Sequence, residues 1–240
     1  QQNKIMNYIK FAFSLMAWFV CIVPLAVHAQ DGALDQSFGS GGKVITPISP
    51  GYESGYGVAI QSDGKIVVAG ESQNGTTGAD YDVTLVRYNP NGSLDNSFGA
   101  GGIVITSVGP GWDLSGSVVL QPDGKIVVAG QTLSGAAYDF VVLRYNTNGS
   151  LDNSFGTGGI AKIPVGSSHD SGWFCALQTD GKIVVVGPVY NGSNYDFGLV
   201  RLNPNGSLDP TFGSGGKVIT AVNSTDDHSW SCCLQSDGKI

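Results

Sequence analysis

One repeat period, kept by two separate phrases, is the strongest constraint on the fold of this chain. The phrase Gln-x-Asp-Gly-Lys-Ile starts at Gln61, Gln121, Gln178 and Gln235, at intervals of 60, 57 and 57 residues. The phrase Leu-Asp-x-(Ser/Thr)-Phe-Gly keeps the same three intervals and starts at Leu34, Leu94, Leu151 and Leu208. Two markers with one period predict a repeat architecture. Residues that every repeat has are expected to build the scaffold, and residues that differ are where an individual function would lie.

The second repeat shows what one unit contains. Residues 117–121 are a short apolar run, and the Asp-Gly pair that follows supplies the positive φ that a hairpin turn needs. Residues 126–129 are apolar at every position and rich in β-branched residues, which is typical of a strand buried on both faces. Residues 140–145 and 160–165 are two further apolar stretches. The repeat therefore predicts four short strands in one antiparallel sheet.

Stacking such units predicts an all-β protein, a β-propeller of four-stranded antiparallel blades with repeats of 57–60 residues. Three complete repeats, with partial ones at both ends, predict an incomplete ring in this chain. The 36 glycines fall at fixed repeat positions, which favours sharp turns over disorder. The structural alternative is an open β-solenoid, whose coils usually repeat at shorter periods.

The first 29 residues have the pattern of a secretory signal peptide. A basic residue, Lys10, precedes the apolar run 11–27, and the small residue Ala29 offers a cleavage point. A membrane anchor is the alternative, but Pro24 and a length below the roughly 20 residues of a spanning helix argue against it. We expect residues 30–240 to be the propeller, exported to the cell surface or medium, with the periplasm also possible.

Charge and cysteine content limit the partners of the mature chain. Without residues 1–29 it has 10 basic and 19 acidic residues, a formal net charge of −9. An acidic surface makes nucleic acid and anionic membranes unsuitable partners. Cys175 and Cys232 occupy equivalent repeat positions and are expected to be small buried thiols. Without Cys-x-x-Cys pairs or histidine clusters, no zinc site is predicted, and we expect a monomer.

An acidic residue lies eight positions before each repeated glutamine. In a propeller this segment joins the outermost strand of one blade to the innermost strand of the next, close to the central channel. Aromatic residues that vary between repeats lie beside these acids. The carboxylates could cap turns by accepting backbone N–H bonds, or form a rim that holds calcium or a sugar. The candidate rim comprises the acids Glu53, Asp113, Asp170 and Asp227 and the rings of Trp112, His169, Trp173, His228 and Trp230, with Tyr52 and Tyr56 nearby.

Two further repeated motifs are assigned to structure. Asp139 and Arg144, like their copies in the other repeats, recur on the third strand, where we expect salt links or backbone hydrogen bonds between neighbouring blades. The loop 89–95 faintly resembles a calcium-binding loop, but it has one full negative charge and no bidentate acid. A hairpin turn is the preferred interpretation.

These phrases, continued as Ile-Val-Val-Ala-Gly and as Arg-Tyr-Asn-x-Asn-Gly-Ser-Leu-Asp-x-Ser-Phe-Gly, resemble the bacterial delta-60 repeat over residues 33–240. A looser similarity to the NHL propeller repeat concerns the fold alone. The resemblance implies a propeller in large, exported bacterial proteins, mostly without an assigned activity. It supplies no catalytic residue.

The predicted function is therefore a non-catalytic exported or surface scaffold whose loops bind a protein or a glycan. One alternative is a carbohydrate-active enzyme that uses the acidic ring at the channel mouth. Another is a structural spacer in an adhesin-like protein. No catalytic residue is assigned, and no cofactor is expected apart from the calcium that the acidic ring could hold.

Overall fold

The computed structural model describes residues 32–73 and 80–240. The chain divides into two units, Gln1–Asp35 and Gln36–Ile240, and the second unit contains all the elements below. The predicted signal peptide lies outside the described residues. The described part contains no α-helix, so no membrane-spanning helix is found in it.

In the described residues twelve strands form three sheets of four, and every pair of neighbouring strands is antiparallel. Within each sheet the strands follow one another in chain order. The three sheets are the blades of an open, unclosed ring, which confirms the predicted fold class. The strands are β1 (Glu53–Ile60), β2 (Ile66–Gln73), β3 (Tyr81–Tyr88) and β4 (Ile103–Thr106) in the first blade, β5 (Asp113–Leu120), β6 (Ile126–Ser134), β7 (Ala137–Tyr145) and β8 (Ile160–Ile163) in the second, and β9 (Phe174–Leu177), β10 (Ile183–Tyr190), β11 (Tyr195–Leu202) and β12 (Lys217–Thr220) in the third.

The Asp-Gly pair of each repeat makes the tight turn between the first and second strands. In the second blade Gly124 has a φ of 82° and its N–H donates to the carbonyl of Gln121 over 2.9 Å. The carboxylate of Asp123 accepts the N–H of Lys125 at 3.2 Å. The hairpin predicted from the Asp-Gly pair is confirmed.

The second strand of the middle blade is buried on both faces, as its sequence predicts. Val127 and Ala129 belong to the core shared with the third blade, whereas Ile126 and Val128 belong to the core shared with the first blade. All four side chains are fully buried. Successive side chains of this strand therefore point to opposite faces of the sheet and fill the cores on both sides of the blade. Radially packed blades bury their apolar side chains in this way.

The first strand of each blade is the innermost one. β5 contacts both β1 and β9, the first strands of the neighbouring blades. Gly116 allows the close approach to β9, because a methyl group there would lie 2.3 Å from the carbonyl oxygen of Trp173. Each connector into the next blade, such as residues 107–112, therefore runs from an outer strand to an inner one.

The repeated arginine joins its own blade to the next one. Arg87 donates from Nη1 to the carbonyl of Thr147, one blade further along, over 2.6 Å, which confirms the predicted contact between blades. Its ionic partner is Asp95, with 2.8 Å between Nε and Oδ2, and its guanidinium lies 4.4 Å from the ring centre of Phe98. Each third-strand arginine pairs in this way with the aspartate of the Leu-Asp phrase.

The three described cysteines are free thiols. Cys175 is buried beneath Ser117, whose hydroxyl lies 3.3 Å from its sulfur, so the predicted buried thiol is confirmed at this position. The prediction that Cys232 is buried is wrong, because this residue is only partly buried. Burial raises the pKa of Cys175 to about 12, as is typical of a structural thiol in an apolar core.

Candidate ligand-binding face

The acid of each connector holds the connector in its turn. Asp170 accepts the N–H groups of Val165 and Gly166 at Oδ2, over 3.0 and 2.6 Å, and that of Tyr190 at Oδ1, over 3.1 Å. Burial raises the pKa of Asp170, and the hydrogen bond from Gly166 opposes that effect. This is the turn-capping arrangement, in which the carboxylate replaces a missing backbone acceptor.

The equivalent acids make the same turn. Asp113 accepts the N–H of Val108 and Gly109 at Oδ2, and the hydroxyl of Thr132 at Oδ1 over 2.6 Å. Asp227 accepts the N–H groups four and five positions before it, and so does Oε1 of Glu53. The four acids therefore cap the connectors. Their part in a ligand rim stays a prediction.

Three of the candidate rings pack on a tyrosine that recurs near the start of the third strand. Tyr81 contacts Trp112 with 5.4 Å between ring centres. The equivalent pairs, Tyr138–His169 and Tyr195–His228, have separations of 5.6 and 5.3 Å. These contacts join the tip of one blade's hairpin to the connector into the next blade. Trp112, His169 and His228 thus have a structural role that repeats along the chain.

Trp173 and Trp230 lie elsewhere, in an open cleft beside the inner strands. The cleft has a volume of about 340 Å³ and is lined by Tyr56, Gly116, Trp173, Phe174 and Trp230. Four of these residues occupy one repeat position, five before the repeated glutamine. The cleft is therefore where the inner strands of three blades and the start of a fourth repeat meet.

The aromatic wall of the cleft consists of near-parallel rings. The ring centres of Trp173 and Trp230 are 6.4 Å apart with 25° between their planes. His228 continues the row, 5.9 Å from Trp230 and tilted by 21°. Trp230 remains 66% exposed, so its ring is open to a ligand. Rings of this kind can stack on the apolar face of a sugar.

The sequence analysis found part of this cleft. It selected Trp173 and Trp230 and noted Tyr56, but it missed Gly116 and Phe174 as lining residues. The shared offset of five residues from the glutamine is the signal that could have grouped Tyr56 with the two tryptophans. Trp112, His169 and His228 are not among the residues that line the cleft.

Metal binding finds little support in the described ranges, 32–73 and 80–240. They contain no group of three or more His, Cys, Asp or Glu side chains placed to hold a metal ion. The loop 89–95 is a turn, in which Asn91 accepts the N–H of Ser93 over 3.0 Å and Gly92 donates to Asn89. Calcium at the acidic ring stays a hypothesis.

Comparison with known proteins identifies the repeats. Three segments, residues 61–98, 121–155 and 178–212, match the sequence model of a family described as a domain of unknown function, DUF5122, beta-propeller. Each match starts at a repeated glutamine and ends at the phenylalanine of the Phe-Gly pair. The chain therefore carries β-propeller repeats, one for each of the three blades. A search of curated proteins finds no match.

Proposed function

We propose that this chain is a non-catalytic, exported β-propeller scaffold that binds a glycan in the aromatic cleft. The observation that carries the proposal is the stacked pair Trp173–Trp230 on the wall of an open cleft, with 25° between the two ring planes. His228 stacks on the Trp230 ring next to the cleft. Sugar ligands are held by stacking on such rings together with a few polar contacts. Trp230 is 66% exposed, so its ring contributes little to the core of the scaffold.

The environment of the acids supports a role without catalysis. Glycosidases need two carboxyl groups that reach the substrate, one as acid and one as base or nucleophile. Asp113 is fully buried, and both of its oxygens accept hydrogen bonds from the connector and from Thr132. A carboxylate used in this way holds the fold and is poorly placed to transfer a proton to a ligand.

Export is supported by the sequence. The pattern of residues 1–29 is that of a cleavable signal peptide. The finer resemblance to the delta-60 repeat points the same way, because that repeat is typical of exported bacterial proteins.

The experiment is a glycan array probed with the wild-type protein and with Trp230→Ala. Loss of the most exposed ring of the row is expected to weaken binding at least about tenfold, since aromatic stacking contributes roughly 0.5–1.5 kcal/mol in addition to the buried area. Trp112→Ala is the matched control, because Trp112 is also a partly exposed tryptophan but does not line the cleft. Absence of any retained glycan, or equal binding by Trp230→Ala, would overturn the proposal.

A further inference from the structure

Tyr56, one of the residues that line the cleft, is hydrogen-bonded to the buried Glu71 on the neighbouring strand. Tyr56 lines the cleft and donates its hydroxyl hydrogen to Oε1 of Glu71 over 3.0 Å. The two residues lie on the paired strands β1 and β2, and Tyr56 is the extra residue where the register shifts between Gly55 and Gly57. The tyrosine is 58% exposed and the glutamate only 5% exposed, so the pair connects the open cleft to the interior.

This pair exists in one repeat of the chain. The position of Tyr56 is occupied by Gly116, Trp173 and Trp230 in the other repeats. The position of Glu71 is occupied by Gln131 in the second blade and by Pro188 in the third. A scaffold role would be expected to recur, so a pair confined to the first blade points to an individual function.

Glu71 keeps one oxygen without a partner. Its Oε2 is buried and has no hydrogen-bond partner among the described residues. In the second blade the equivalent Gln131 accepts the hydroxyl of Ser171 from the next connector, but the residue equivalent to Ser171 beside Glu71 is Leu114, which has no side-chain donor. An unsatisfied buried oxygen is costly for a scaffold and needs a reason.

We propose that Tyr56 and Glu71 make the cleft selective for neutral, polyhydroxylated chains over anionic ones. The hydroxyl of Tyr56 gives its hydrogen to Glu71, so its oxygen is left to accept a hydrogen bond from a ligand hydroxyl. The negative charge of Glu71 lies directly behind that oxygen and repels a carboxylate or sulfate group on the ligand. This inference rests on the proposed glycan site and adds its ligand class.

The test compares two ligands of the same length and linkage that differ in charge, β-linked mannopentaose and the corresponding pentamannuronate. Burial raises the pKa of Glu71, so the titrations are run at about pH 7.5, well above the ordinary range of a glutamate. The wild-type protein is expected to prefer the neutral ligand by about tenfold or more. Glu71→Gln should reduce that preference to below about threefold, chiefly by improving pentamannuronate binding.

Tyr56→Phe is the second variant, and it keeps the ring while removing the acceptor. It is expected to weaken mannopentaose binding by about fivefold, the loss of one ordinary hydrogen bond. Tyr52→Phe is the matched control, since Tyr52 is exposed on the same blade but does not line the cleft. Its affinity for mannopentaose should equal that of the wild type.

The outcomes separate this inference from the function on which it rests. An unchanged preference in Glu71→Gln, or full affinity in Tyr56→Phe, overturns the assigned selectivity while leaving the cleft as a glycan site. If the wild type binds neither ligand and also retains nothing on the glycan array, both the selectivity and the proposed function are overturned. Because Tyr56 is exposed and its ring is retained, the phenylalanine variant keeps the test valid even if Glu71→Gln unfolds.

Discussion

At the level of single residues, a buried aspartate in each repeat connects the two repeated phrases. Asp152 accepts Nε of Arg144 over 2.8 Å and lies 3.1 Å from Nζ of Lys125. The lysine belongs to the Gln-x-Asp-Gly-Lys phrase and the aspartate to the Leu-Asp phrase. The same ion cluster closes in all three blades, although the lysine and the aspartate are 30 residues apart in the first blade and 27 in the other two.

Removing the arginine tests how far the scaffold depends on this cluster. Arg144→Ala leaves Asp152 buried with its remaining partners, and breaking a buried pair typically costs about 3–5 kcal/mol. We expect the free energy of unfolding, measured by urea denaturation, to fall by about 3 kcal/mol. Arg201→Ala should cost clearly less, because the Arg201 side chain is 18% exposed against 7% for Arg144. Equal losses, or a loss below about 1 kcal/mol for Arg144→Ala, would contradict this assignment.

The same aspartates predict how stability depends on pH. Hydrogen bonds from the hydroxyl and N–H of Ser97 and the charge of Arg87 lower the pKa of Asp95 to about 2. Asp152 also has a lowered pKa, since hydrogen bonds from Ser154 outweigh the effect of burial, and Asp209 is lowered chiefly by Thr211. A carboxylate whose pKa is lower in the folded than in the unfolded protein stabilises the fold. This stabilisation is fully present above the unfolded-state pKa, near 3.9, and is lost as the pH falls through the folded-state pKa.

We therefore expect the free energy of unfolding to fall between about pH 4 and about pH 2. Burial raises the pKa values of Glu71 and Asp170. These two carboxyl groups have the opposite effect on stability, because the free energy of unfolding that they contribute is lost as the pH rises. Chemical denaturation across this range should show a smaller decline in Asp152→Asn than in the wild type. A wild-type stability that is constant down to pH 2 would be inconsistent with the ion clusters.

At the level of elements, the inner hairpin of each blade depends on a glycine in the second strand. A methyl group on Gly130 would lie 1.9 Å from the carbonyl oxygen of Leu114 on the paired strand β5. The backbone would have to shift, because the contacted atom cannot rotate away. The register of β5 and β6 is irregular between Ser115 and Ser117, so the two strands meet closely where the inner strand bulges.

Gly130→Ala is expected to destabilise the protein by about 3 kcal/mol, the upper range for overpacking. The control is Gly135→Ala in the hairpin tip, where no atom lies within 4 Å of the added methyl group. Gly135 has a φ of 70°, so its substitution should cost only the strain of a left-handed residue, about 1–2 kcal/mol. Thermal unfolding monitored by circular dichroism measures both, and a control loss as large as that of Gly130→Ala would refute the steric explanation.

The strands with apolar, β-branched sequences could be predicted, whereas the inner strand could be predicted only in part. The run 117–121 predicts the end of β5, but the observed strand starts four residues earlier, at Asp113. Its first half, with Ser115 and Gly116, has no apolar signal and is held by close packing of backbones. Tertiary contact, not local propensity, fixes this part of the strand.

The candidate site shows the same division. Comparison of equivalent repeat positions identified Trp173 and Trp230 as aromatic rings that vary between repeats. Their nearness to the acid that precedes each repeated glutamine predicted that both rings lie in or beside the connectors between blades. The contact of Tyr56 with Glu71 could not be predicted, because it depends on the register of two strands across a bulge. The sequence alone left the acids with two roles, and the hydrogen bonds to the connectors support the capping role.

At the level of the whole molecule, each blade contributes the same scaffold contacts and a different surface. Repeat proteins gain stability from contacts between neighbouring units, so the shared residues must be kept while the exposed ones can vary. In this chain one variable repeat position supplies most of the cleft. The residues at this position in the four repeats, Tyr56, Gly116, Trp173 and Trp230, all line it. A ligand in the cleft would touch several blades at once.

Export is a prediction that also belongs to the whole chain. When the protein is expressed with residues 1–29 in a bacterial host, we expect the mature protein outside the cytoplasm with a new amino terminus at Gln30. Intact-mass analysis of the secreted and cytoplasmic fractions measures this. A protein that keeps residues 1–29 and stays in the cytoplasm would contradict the assignment.

The most direct test of the central claim is a crystal structure of the protein soaked with β-linked mannopentaose. The account predicts sugar rings against Trp173 and Trp230, with a ligand hydroxyl within hydrogen-bond distance of the Tyr56 oxygen. Sugar bound instead at the Trp112 connector, or a cleft that stays empty while the same ligand binds elsewhere, would contradict it.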